Sequence, residues 1–123
     1  MSLTYSQRPS DEKARPSGTP RAGMIVIQEW WGLNDDIKEI ADRYAAQGYL
    51  ALAPDMYHGV VTEEPDEARK MAMALERDQA ALEIDAAAAW LKTQGAAKVG
   101  CVGFCMGGTV TFYAGTLQPL GAV

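Results

Sequence analysis

Ten residues, Val99-Gly100-Cys101-Val102-Gly103-Phe104-Cys105-Met106-Gly107-Gly108, constrain what this chain can fold into more than any others. Val99 to Val102 reads as a short buried strand, and the G-x-C-x-G-G that follows reads as a sharp turn into a helix. Glycines two residues either side of Cys105 have the spacing of a nucleophile elbow, with Cys where the commoner form has Ser. The need for glycine is steric. Such a turn strains the backbone of its central residue and brings neighbouring chains within reach of any Cβ. The turn also puts Cys105 at a helix N-terminus, where the dipole and free N–H groups favour a thiolate and hold a developing oxyanion. The plainer reading of the same residues is a structural Cys in a Gly-rich βα turn.

The rest of the chain supplies strands and helices in alternation. Gly23 to Gln28 is an unbroken apolar run, suited to a strand buried on both faces. Glu29 to Leu33 follows as a loop. Asn34 is placed to cap a helix whose first turn holds Asp35 and Asp36, whose apolar face carries Ile37, Ile40, Ala41, Tyr44 and Ala45, and which Gly48 ends. Tyr49 to Ala53 reads as the second buried strand, closed by Pro54 and a loop over Asp55 to Gly59. Asp66–Leu75 and Asp78–Lys92 read as two helices, or one bent near Glu76, rich in strong helix formers. Lys98 to Val102 is the third strand, and a helix runs from the elbow to about Gly115. Leu120 to Val123 opens a fourth strand. Residues 1–22 are polar and loop-rich: Tyr5 to Pro9 suits the end of an edge strand, and Ser10 to Arg21 a poorly ordered loop. One α/β domain follows over 23–123, a doubly wound, mostly parallel sheet with helices on both faces. Ligands bind such sheets beyond the carboxyl ends of the strands. If the first and third strands are neighbours, Glu29 and Cys105 face one crevice.

Composition narrows the partners. A net charge of −5 argues against nucleic acid and against an anionic membrane surface. No apolar run reaches the length of a membrane span and no signal peptide is visible, so a cytoplasmic setting is expected. One His and two Cys make a metal site unexpected, and no cofactor is expected. Cys101 and Cys105 lie too far apart along an extended strand to form a disulfide, and Cys101 reads as a small core residue. His58, the one histidine, follows the second strand, on the far side of the first strand from Cys105, and reads as a surface residue. Asp55 is placed to bond local N–H groups. Arg69, on an amphipathic helix among acids, has a solvated ion pair as its plainer reading.

The chain resembles the dienelactone hydrolase family of the α/β-hydrolase fold. The resemblance rests on Val26 to Asn34, Gln47-Gly48-Tyr49, Ala53 to Tyr57, and Lys98 to Gly108, in that order. It implies hydrolysis of a small-molecule enol-lactone or related ester, with Cys105 as nucleophile and Glu29 as the acid that contacts and activates the thiol. It assigns the backbone N–H groups of Trp30 and Met106 to the oxyanion hole and Arg69 to the substrate's carboxylate. Met73 stands where some members carry a tyrosine.

A triad in this fold also needs an Asp and then a His after the nucleophile. Met106 to Val123 contains no Asp, Glu or His. The expectation is therefore a fragment or truncated homologue of a longer hydrolase, with little turnover alone and an exposed sheet edge through which copies can associate. A non-catalytic module completed by another chain, and a thiol redox or stress protein built on the same elbow, are the alternatives.

Overall fold

The computed structural model describes residues 11–117 and 120–123. The expected edge strand over Tyr5 to Pro9 lies outside them. Strands β1 (Glu12–Ala14), β2 (Gly23–Ile27), β3 (Leu50–Ala53) and β4 (Val99–Gly103) form one sheet in the order β1-β3-β2-β4. The pairs β2–β3 and β2–β4 are parallel, and β1 runs antiparallel to β3. The helices are α1 (Asp35–Ala46), α2 (Pro65–Ala74), α3 (Arg77–Thr93) and α4 (Met106–Leu117).

The alternation of side chains along β2 and β3 divides the core. Ile25, Ile27, Leu50 and Leu52 face α3 and α4, where Ile84, Ala87, Leu91, Val110 and Ala114 meet them. Val26, Ala51 and Ala53 face the other way, onto Ile37, Ala41 and Ala45 of α1. A strand buried on both faces has no room for polar alternation, which is why Gly23–Ile27 is apolar throughout. Each fully buried aliphatic side chain here is worth about 1.5–3 kcal/mol.

Local chemistry sets the helix ends as expected. The Asn34 side chain accepts the Ile37 N–H at 3.2 Å and caps α1. Leu75 and Glu76 are extended, so α2 and α3 are separate helices. One expectation fails: Ser10 to Arg21 is not loop throughout, because Glu12–Ala14 pairs with Ala53 to Ala51 as β1. Pairing supplies what local propensity does not, and Ala14 is buried by it. Leu120 to Val123, expected to open a fourth strand, holds a single isolated bridge. Ala122 bridges Gly100 in parallel, and its carbonyl accepts the Cys101 N–H at 2.9 Å.

Candidate active site

The parallel register of β2 and β4 pairs Ile27 with Gly103. Two residues beyond each lie Glu29 and Cys105, so both leave the sheet at the same end from adjacent strands. Cys105 has φ +56°, one of two non-glycine residues with positive φ among those described. Its thiol is exposed and it sits one residue before α4. Strain of this kind persists only where the surroundings enforce it. Here they do. A Cβ on Gly103 would overlap the Gly107 carbonyl and the Thr111 hydroxyl, and one on Gly107 would overlap the Gln28 carbonyl and stand 2.7 Å from that of Ile27. Both glycines are therefore required by close backbone approach.

Glu29 is half-buried and closes a tight turn in which the Gly32 N–H donates to its carbonyl at 3.3 Å. Trp30 and Trp31 in that turn are half-buried and meet edge-to-face at 5.3 Å. Among the described residues, neither the Glu29 carboxylate nor the Cys105 thiol has a hydrogen-bond partner. The N–H groups of Trp30 and Met106 likewise have no protein acceptor among them. Two donors are thus left free at the end of the sheet where Cys105 emerges.

Arg69 is exposed on α2, with Asp66 at 3.7 Å, and Met73 is exposed on the same helix. Asp55 bonds its own loop, accepting from Tyr57 N at 3.2 Å and Gly59 N at 2.6 Å. His58 lies beyond β3, with β2 between it and the elbow strand. Its Nε2 stands 3.2 Å from Oε1 of Glu83, a carboxylate on the buried face of α3. Burial pushes Glu83 up to about 7. Cys101 is buried under α4, its sulfur 3.5 Å from the Thr111 hydroxyl, and burial pushes its thiol up to about 11. The two cysteines are separate free thiols.

Sequence reasoning missed three residues around this site. Gln28 is fully buried, and its side-chain carbonyl accepts the Met56 N–H at 3.0 Å. Tyr57 is buried and its hydroxyl donates to the Met106 sulfur at 3.5 Å. Glu83 falls within the buried stripe Ala80, Ala81, Ile84, Ala87, and an acid on an apolar helical stripe was the signal for it. Tyr57 carried no such signal. Met56, Tyr57 and His58 also wall a cavity of about 400 Å³ with Met71, Ala74 and Leu75.

A family model described as the dienelactone hydrolase family matches residues 12–123. Protein usf of Aquifex pyrophilus is 41% identical over 100 residues, which cover 74% of this chain and 43% of that protein. The solved structure of m3DLH superposes with a TM-score of 0.75 at 32% identity, over 85% of this chain and 46% of its own. P91, a dienelactone hydrolase-like promiscuous phosphotriesterase from metagenomic libraries, superposes with a TM-score of 0.72 at 32% identity, over 84% of this chain and 46% of its own. The chain spans less than half the length of these relatives. Its sheet order, its elbow and this match over residues 12–123 lead to one conclusion: the chain belongs to the dienelactone hydrolase family.

Proposed function

We propose that the full-length protein is a cysteine hydrolase that opens small-molecule lactones or esters by acyl transfer. The observation that carries this reading is the pairing of Ile27 with Gly103, which brings Glu29 and Cys105 out of adjacent strands at one level. Cys105 is the nucleophile. Its sulfur attacks the carbonyl carbon as a thiolate, and the carbonyl oxygen takes the negative charge. The free N–H groups of Trp30 and Met106 receive that oxyanion. Collapse of the intermediate breaks the ester C–O bond, releases the alcohol or enol oxygen with a proton, and leaves a thioester on Cys105. Water then cleaves the thioester and regenerates the thiol.

Glu29 takes the thiol proton and presents the thiolate. Deacylation needs a base of its own. His58 is occupied with Glu83, and the relatives are more than twice as long as the matched part of this chain, so we assign the base and its acid partner to the part of the fold that these residues do not cover. Arg69 is the candidate for an anionic group on the substrate; it is exposed, and Asp66 at 3.7 Å is a loose surface partner. Among the described residues no helix is long and apolar enough to cross a membrane. A cytoplasmic setting, and association of copies through the sheet edge near Ala122, are part of the same proposal.

The test is turnover of a p-nitrophenyl ester and of an enol-lactone by the full-length protein, with and without Cys105→Ala. Loss of about 1,000-fold or more in the variant, with a thioester adduct on Cys105 seen by intact mass in the parent, is the expected result. Full turnover by Cys105→Ala would sink the reading.

A further inference from the structure

Tyr57 comes from the loop after β3, two strands away from the elbow on β4. Its backbone is held on several sides. Its N–H donates to Asp55 Oδ1 at 3.2 Å, and its carbonyl accepts the Val60 N–H at 3.3 Å. The preceding residue, Met56, donates to Gln28 Oε1 on the β2 side. The following residue, His58, meets Glu83 of α3. The loop is therefore fastened both to the strand that leads into Glu29 and to the helix behind the sheet.

From that base the side chain reaches two places. Its ring borders the space beside Gly32: a Cβ built there would stand 3.4 Å from Tyr57 Cδ2. Gly32 closes the turn begun by Glu29, and Trp30 is inside that turn. The hydroxyl reaches across to the sulfur of Met106, the first residue of α4. One buried side chain thus bonds to the first residue of α4 and borders the turn that holds Trp30. The contact to Met106 uses only its side chain and leaves the backbone donor open. A buried phenol needs a partner, and thioether sulfur is a weak acceptor. Burial raises the Tyr57 hydroxyl to about 12, so it remains a donor through the working pH range.

We propose that Tyr57 is a positioning residue, setting the Trp30 and Met106 N–H donors relative to each other through its ring and its hydroxyl. This rests on the reading of those two groups as the oxyanion hole. Tyr57→Phe keeps the ring against Gly32 and deletes only the O–H···S contact. Met106→Leu deletes the same contact from the other side with little change in shape.

The experiment uses the full-length protein and a p-nitrophenyl ester. Tyr57→Phe is expected to lower kcat about tenfold with KM unchanged, less than the ~100-fold or greater cost of removing a donor outright. Met106→Leu is expected to match it, and the double variant to be no worse than either single one. Alkylation of Cys105 by iodoacetamide is expected to keep its rate, since the nucleophile is untouched. A kcat for Tyr57→Phe within about twofold of the parent, losses that multiply in the double variant, or an equal fall in alkylation rate would each overturn the proposal. If Tyr57→Phe does not fold, Met106→Leu alone decides by the same kcat criterion. Turnover retained by Cys105→Ala overturns the hydrolase reading and this proposal together. An inactive Cys105→Ala beside a fully active Tyr57→Phe overturns only the positioning role.

Discussion

The backbone of Gly107 packs directly on the main-chain carbonyl of Gln28, so the helix that follows the elbow rests on the strand end that leads into Glu29. No side chain fits between them. Gly107→Ala is expected to destabilise the full-length protein by about 3 kcal/mol or more, read from urea unfolding. Gly108→Ala is the matched control. Its Cβ would meet nothing nearer than the Gly103 carbonyl at 3.3 Å, so its cost is expected to be small by comparison. Equal losses in the two variants would mean that the close approach is not what Gly107 serves.

The two thiols differ sharply in access. Cys105 is exposed, whereas Cys101 is buried and its thiol is pushed up to about 11. Brief treatment of the native protein with iodoacetamide at neutral pH is therefore expected to leave Cys101 unmodified and to label Cys105. Peptide mapping checks it. In denaturant both should react, and a labelled Cys101 in the native state would contradict its burial.

In the proposed mechanism Glu29 takes the thiol proton. Glu29→Gln keeps the shape of the turn and removes that capacity. Acylation in the full-length protein, followed as a pre-steady-state burst, is expected to slow about 100-fold with little change in KM. An unchanged burst rate would reassign the thiol proton to another base.

Glu83 links stability to pH. In the unfolded chain its carboxyl titrates near its ordinary value of 4.5, and in the folded protein burial raises it to about 7. Between those values the folded state holds a proton that the unfolded state has released, so stability falls as pH rises from 4.5 to 7. Above about 7 the folded protein carries an ionised buried carboxylate. Glu83→Gln keeps an acceptor for His58 and removes the charge. Its melting temperature is expected to exceed the parent's at pH 8, by about 2–4 °C for each kcal/mol regained, and the gap to close near pH 4.5. A gap that does not change with pH would show that the benefit is packing alone.

Much of this was legible in the chain. The buried strands, the cap at Asn34 and the elbow glycines each rest on local chemistry that a linear reading sees. That Glu29 and Cys105 follow adjacent parallel strands needed only the guess that those strands are neighbours. What stayed hidden was tertiary. Glu12-Lys13-Ala14 has no strand pattern of its own and becomes β1 only by pairing with β3. Tyr57 and Met106 are 49 residues apart, and no periodicity joins them. The histidine reads as an ordinary loop residue until α3 brings Glu83 up beneath it.

The bridge between Gly100 and Ala122 gives the first half of β4 a neighbour on each side, β2 and Ala122. A rim strand breathes, and its amides trade their hydrogens quickly with the solvent; an inner one does not. The strand that leads to Cys105 is paired with β2 over Val99–Gly103 and tied to Gly121 and Ala122 over Val99 to Cys101. The Cys101 amide, whose N–H donates to the Ala122 carbonyl, is therefore expected to exchange slowly, as an inner strand's does.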